Sequence, residues 1–459
     1  MLYALILWTG AASSNVLSSQ VAAITPYQLV PYQKESALFT LLAGGIVVPV
    51  QRYHDYHYAH FAMALTTHRR QLAPLALRVS TLCTDEIITE WAISPRSFGI
   101  VGETCGVNDA TLCFNVTGGN AQPNYLILQL NALQKLVIIV EEGPEVVPMH
   151  GIDVRAPPFN ADPTGAVDAT AALQAAIDKA ANLRIPVVLQ AGTFLISTPA
   201  LELRNHSDLF IAADAVLRST NDRSKLPAPN PKSSGCFIDP LIMLHDVGDV
   251  ILRGRGTIDA SGLALMEAGR GCKMKAPGYK YRRRIISSLY SKVEPSDDGN
   301  NDDSNNGRRF AHVRIEGLIL RDATTWTAVV EKVTNYTVFE VKVLNHHNAT
   351  VYKIENDGLD LVANTESSVD RCLVITCDDA MCSKSGEPDA GVDNVRFTNS
   401  IAFSWCAGQK AGMQAVSMHR NVLFENNDIV QARRGVVVEV TEGAETLPGG
   451  AGASGRRAS

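Results

Sequence analysis

Residues 355–385 read E-N-D-G-L-D-L, a polar run, and then V-D-R-C-L-V-I-T-C-D-D-A-M-C-S-K-S. Three carboxylates stand out: Asp357 and the adjacent pair Asp378 and Asp379. Carboxyl groups of unequal pKa suit acid/base work. A protonated one delivers its proton to a leaving oxygen, while an ionised one activates water or attacks directly, and glycosidic cleavage requires both. Crowding of like charges supplies the inequality, because it raises one of the pKa values. The same residue types also make a surface acidic cluster or a Ca²⁺ site, and spacing alone does not choose among these readings.

The elements around the carboxylates must bring them together. In Leu359-Asp360-Leu361, strand alternation turns the leucines inward and Asp360 outward. Asp357 precedes Gly358, where a turn leads into the strand. Asp378 and Asp379 would face opposite sides of a strand, so the backbone must turn at the pair; an inward, uncompensated aspartate would be costly. After Phe310, similar phrases recur: H-V-R-I-E-G-L-I-L, N-Y-T-V-F-E-V-K-V, S-V-D-R-C-L-V-I, N-V-R-F-T-N-S-I-A-F and N-V-L-F-E-N-N-D-I-V. Matching Val313, Tyr336, Val369, Val395 and Val422 gives steps of 23, 33, 26 and 27 residues with no helical period between them. That periodicity predicts a solenoid, physically a right-handed parallel β-helix with coils about 4.8 Å apart. One coil then separates Asp357 from the pair, and outward side chains of successive coils line a groove suited to an extended polymer.

The chain before this repeat divides in two. Residues 25–148 show short alternating runs separated by glycine turns, which predicts a β-sandwich-like accessory domain. Its His54, His57 and His60 lack a completing carboxylate or cysteine, and strand alternation puts His54 and His57 on opposite sides, so no metal site is expected. A proline-rich link leads to the predicted β-helix domain, 151–440. There D-P-T-G marks a turn, and Asp168 or Thr170 is placed to cap a helix whose apolar face holds Leu173, Ala176 and Ile177. Two insertions, at about 219–240 and about 263–309, interrupt the strands. The second carries the basic run 280–284, read either as a solvated or charge-paired loop or as a rim touching substrate, and the acidic, Asn-rich tract 296–306, expected to be a mobile loop. Residues 441–459 read as a disordered tail, with no further coil and no cap evident, so coils that would complete the groove are expected to be missing.

Hydrophobic residues make up 46% of the 459-residue chain and charged residues 19%, with a net charge of −6. That balance disfavours nucleic acid or an anionic membrane as partner. The apolar run 2–8 is too short to cross a bilayer and suits a signal peptide over 1–23, so an extracellular location is expected. Sequons at Asn115, Asn205, Asn335 and Asn348 agree with secretion. Among nine cysteines, Cys105 with Cys113 is a candidate pair closing a short loop, and Cys236 with Cys272 a candidate pair joining the insertions. No zinc pattern accompanies them. A monomer without metal or cofactor is expected.

At the carboxylates the chain resembles the polygalacturonase-like glycoside hydrolases (family 28), members of the pectin-lyase-like parallel β-helix superfamily. The N-D-G-L-D-L segment is similar to that family's N-T-D-G-[IF]-D, and C-D-D-A-M-C-S-K-S to its D-D-C-I-A-I-K-S. The dextranase-type family 49 is also similar, having a β-sandwich before the helix. The resemblance spans about 151–440. It implies that Asp378 is the general acid, that Asp357 and Asp379 hold and activate water, and that the anomeric configuration inverts. It further implies substrate contacts from Asp360, Lys384, Gln409 and Lys410, and Trp326 is a candidate for stacking on a sugar, although a packing role accounts for it equally. Three departures narrow the substrate. Glu355 replaces the family's Asn, Lys410 falls at the His of G-H-G, and Val437 and Glu439 fall within the carboxylate-binding R-I-K. An apolar residue and an anion do not hold a galacturonate carboxylate, so the expected substrate is a neutral polysaccharide. Two other functions remain open at this level: a Ca²⁺-dependent polysaccharide lyase with Arg371 or Lys384 as base, and a non-catalytic carbohydrate-binding β-helix.

Overall fold

The computed structural model of the chain describes residues 23–29, 32–64, 74–82, 87–106, 109–117, 123–226, 238–268, 282–288, 310–347, 355–385, 390–415 and 417–439. Residues 1–22 of the expected signal peptide 1–23, with Cys83, Cys236, Cys272, Lys280, the tract 296–306, Asn348 and the tail 441–459, lie outside the described residues.

The fold is a parallel β-helix preceded by a β-sandwich. From Ile152 onward the first coil lays down two strands and each later coil three, and equivalent strands stack into three parallel sheets. The first face runs from Ile152–Asp153 to His419–Glu425, the second from Thr164–Asp168 to Asp428–Gln431, and the third from Leu201–Glu202 to Arg434–Glu439. Inward residues of all three faces, such as Leu252, Val313, Val343, Leu359, Leu361 and Val374, make one continuous apolar core. Burial of that core drives the stacking, since no single coil can hide its apolar residues alone.

The expected register needs one correction. Strand pairing aligns Val313 with Tyr336, and Val395 with Val422. However, Val369 pairs with Val338 and Phe397, while Ser367 pairs with Val395. Ser367, not Val369, therefore continues the row. Matching apolar residues missed it because this buried position is polar: Ser367 Oγ accepts the Tyr336 amide at 3.1 Å and donates to Thr365 O at 2.8 Å.

Helix Thr170–Leu183 covers the entry to the stack with Leu173, Ala176 and Ile177 inward. Neither cap candidate sits at the N-cap, which falls on Ala169 with no side-chain cap; Asp168, just before it, accepts the Thr170 amide at 2.9 Å. Cys105 and Cys113 form the short-loop disulfide, and Asn115, Asn205 and Asn335 are exposed.

The sandwich packs on the second face of the β-helix. Strand Tyr56–Met63 is buried on both sides and explains its unusual Y-H-Y-A-H-F-A-M sequence. Ala59, Phe61 and Met63 enter the sandwich core, whereas Tyr56 and Tyr58 join Ile319, Leu344, Leu373, Ile375 and Phe403 across the seam. His60 meets Glu141 at 2.9 Å, and Lys342 reaches the same carboxylate at 2.5 Å. His57 faces the sandwich, with Gln134 at 3.0 Å, and His54 stands 3.3 Å from Asp322.

Candidate active site

The connection from the second to the third face carries the candidate residues in successive coils. Arg282, Arg283 and Arg284 precede Ile286–Ser287; Trp326 precedes Ala328–Glu331; and Asp357 precedes Leu359–Val362. Asp378 and Asp379 occupy the turn 377–380 before Met381–Ser385. Trp405 and Cys406 occupy the turn before Ala407–Ala415. Stacking of coils thus converts five distant sequence positions into one row.

Side chains that sequence reasoning passed over set the turn at the pair. Buried Asn356 accepts the Cys377 amide at 2.8 Å and the Asp378 amide at 3.3 Å through Oδ1, and donates to His346 O at 2.9 Å. Asp378 Oδ1 accepts the Asp379 amide at 2.9 Å, and Thr376 Oγ1 and Ser404 Oγ each donate to Asp378 O at 2.6 Å. The backbone therefore bends at Asp378-Asp379, which leaves Asp378 half-buried and Asp379 buried. Gly358 is needed one coil before: a β-carbon there would lie 2.4 Å from Ala380 O and 2.3 Å from Val374 Cγ1, so no larger residue lets the two turns approach.

The carboxylates have unequal surroundings. Lys384 Nζ contacts Asp357 and Asp360, each at 2.9 Å. Asp360 points away from the core as expected, yet it is fully buried beside that ammonium. The Trp326 ring lies over Lys384, with Nζ 3.6 Å from its centroid. Lys410 Nζ meets Asp379 at 2.9 Å and Glu439 at 3.4 Å. Gln409 is buried one residue before it. Asp378 is half-buried, and among the described residues no lysine, arginine or histidine pairs with it.

Electrostatics follows this geometry. Burial, reinforced by the charges of Asp357 and Asp379, pushes the Asp378 carboxyl up to about 7. Burial also raises Asp379, but hydrogen bonds from Cys406 and Lys410 and the lysine charges outweigh it and hold the group below the usual carboxylate range. Asp357 is raised by burial, with Lys384 opposing and Asp379 adding. Asp360 reaches about 7 through burial, again opposed by Lys384. The neighbouring Asp378 and Asp379 are thus set apart, one retaining a proton and one ionised.

Cys406 is a further member that sequence reasoning missed. Its sulfur and one carboxylate oxygen from each of Asp378 and Asp379 all lie within 4.8 Å of one another. Burial first, then both carboxylates, push the thiol up to about 12, so it stays protonated and acts as a donor. Arg434 Nη2 supports the sulfur at 2.9 Å. The only sequence signal was its place beside the Lys410 segment.

The described part of the basic run, Arg282 to Arg284, is partly charge-paired, as one of the two expected readings has it, and largely buried. Arg283 is fully buried, donating to Ser219 Oγ at 2.7 Å and Asp239 O at 3.1 Å, and burial brings its pKa down to about 10. Arg282 pairs with Glu355. Arg284 lies 5.7 Å from the Trp326 ring centroid. Arg371 is at the turn between the first and second faces, held by Glu340 at 2.9 Å, and is not part of the row.

Comparison with known proteins agrees with the likeness read from the two aspartate segments. No family model matches the chain. A probable polygalacturonase of Vitis vinifera is 26% identical over 222 residues, covering 46% of this chain and 38% of that protein. The chain thus spans well under half the length of this curated relative. Among solved structures, a family 28 exopolygalacturonase of Yersinia enterocolitica gives a TM-score of 0.49 at 14% identity, covering 80% of this chain and 74% of that one. An exopolygalacturonase of Thermotoga maritima gives 0.48 at 16% identity, over 64% and 69%. Dex49A of Penicillium minioluteum gives 0.45 at 8% identity, over 90% of both chains. The chain is a parallel β-helix protein with sequence similarity to a probable polygalacturonase.

Proposed function

We propose that the chain is a secreted glycoside hydrolase that cleaves a neutral polysaccharide with inversion. The observation that carries this reading is the separation of Asp378 and Asp379 within one turn, the first raised to about 7 and the second lowered. Asp378 donates its proton to the leaving glycosidic oxygen. Asp379, ionised, takes the proton of a water held with Asp357 as that water attacks from the opposite face of the sugar. Lys410 holds Asp379 charged, and Lys384 opposes the burial that raises Asp357. Both lysines are bound to protein carboxylates, and Glu439 adds a second anion at Lys410, which supports a neutral rather than an acidic sugar. Trp326, Asp360 and Gln409 complete the floor beneath the substrate.

The lyase reading is less well supported. Lys384 is held far above its usual pKa by Asp357 and Asp360 despite burial, so it stays a cation and not a base, and Arg371 faces another turn.

Digestion of a glycan panel with NMR analysis of products tests the proposal. The expected outcome is a reducing sugar of inverted configuration from a neutral glycan. Asp378→Asn is expected to lower kcat about a thousandfold with the fold intact; undiminished cleavage removes the assignment. Because Asp378 must be protonated, kcat/KM is expected to fall as pH rises through about 7.

A further inference from the structure

Beside the carboxylate row, a cleft of about 170 Å³ opens between the sandwich and the second face. Gln129, Gln134 and Lys135 line it from the sandwich, and His347, Phe403 and Trp405 from the β-helix. His347 stacks on Phe403 with centroids 4.2 Å apart and lies 5.9 Å from the Trp405 ring. Trp405 nonetheless remains 37% exposed. Lys135 Nζ is 5.2 Å from the Phe403 centroid and makes no ion pair among the described residues. Gln134 uses its carboxamide oxygen on His57, which leaves its NH₂ as a donor. A seam that served packing alone would bury its tryptophan and pair its ammonium. An open aromatic platform edged by a few donors is instead the composition of a small-ligand pocket. The cleft lies one residue along the chain from the carboxylates: Trp405 lines it, and the next residue, Cys406, has its sulfur within 4.8 Å of Asp378 and Asp379 oxygens.

We propose that this cleft is a distal sugar subsite, formed jointly by the sandwich and the β-helix. It takes one pyranose residue of the same glycan chain whose scissile bond lies at Asp378. Trp405 offers the apolar face, and Lys135 and Gln134 donate to ring hydroxyls. The sandwich then acts as one wall of the groove and favours long chains over short ones. This inference rests on the glycosidase reading, and the test separates the two.

The full chain and its Trp405→Ala and Lys135→Met/Gln134→Ala forms would be assayed on short and long oligosaccharides of dextran and of polygalacturonan. The wild type is expected to prefer long chains of one of these, and each variant to lose about tenfold of that preference in kcat/KM. Preference fully retained in both variants overturns the subsite, as does an equal loss on short and long chains, which marks a structural role. In parallel, Asp378→Asn protein would be titrated with the long chains, with and without Trp405→Ala. If the wild type cleaves neither glycan, the hydrolase reading fails on these substrates while the titration still decides the subsite. About tenfold weaker binding with Trp405→Ala supports it; equal binding, or none to either chain, overturns it.

Discussion

Two regions of this molecule bury carboxylates, and they treat them oppositely. At the seam, Glu141 is 2% exposed and lies against Lys342 at 2.5 Å, His60 at 2.9 Å and Arg255 at 4.0 Å. Burial raises its pKa, but the three bases outweigh burial and hold the carboxyl far below its usual range. At the turn 377–380, Asp378 meets burial and two further carboxylates, and rises to about 7. The lesson is that burial has one sign for every acid, while the neighbours decide the outcome. The seam uses compensated charge to fix the sandwich on the β-helix. The turn leaves Asp378 without a basic partner among the described residues, and its carboxyl is raised.

The comparison breaks most sharply at Lys342. Lys342→Met leaves Glu141 buried beside a weaker set of partners and is expected to cost about 3–5 kcal/mol in denaturant titrations. The lowered pKa of Glu141 contributes stability above its unfolded pKa of 4.5 and loses it as pH falls below that value, so the variant should differ least from wild type in strong acid. An unchanged midpoint would mean that the seam charge is already compensated elsewhere.

Lys410→Met tests the same rule inside the site. Without its partner Asp379 should titrate higher, so the acidic limb of the kcat/KM profile moves up in pH and the rate drops about a hundredfold. A loss of rate with no movement of that limb would make Lys410 a structural residue only. Asp378→Asn should do the reverse to stability. The wild-type carboxyl ionises near 3.8 when unfolded and near 7 when folded, so stability falls as pH rises across that interval. The amide escapes this loss and should be about 1–2 kcal/mol more stable at pH 8, discounted for partial exposure. The smallest effect belongs to Glu355→Gln. Glu355 is about half exposed against Arg282, and the change is expected to stay within about 1 kcal/mol in thermal melts.

Legibility in the sequence was uneven for physical reasons. Period and alternation reported the β-helix, since each coil must bury the same inward positions. They placed the row of valines well where the buried residue was apolar and slipped at Ser367, where it was polar. Contacts between near neighbours in the chain were also readable: the Cys105–Cys113 bond spans 8 residues, and Asp168 accepts the Thr170 amide two residues on, although the N-cap itself falls on Ala169. Asn356 and Cys406 were not found, because nothing in their local pattern says that one holds the turn at Asp378 and the other touches both aspartates.

The sequence by itself determined the solenoid, the sandwich before it and the presence of three aspartates one coil apart. Only the tertiary structure decided how the surroundings of Asp378 and Asp379 differ, that Trp326 covers Lys384, that Arg283 is buried, and that Trp405 borders a cleft shared with the sandwich. Alternation and turn chemistry are properties of a few consecutive residues. A shifted pKa or a shared cleft depends on which distant side chains come within a few ångströms, as Lys342 and Glu141 do across 201 positions of chain.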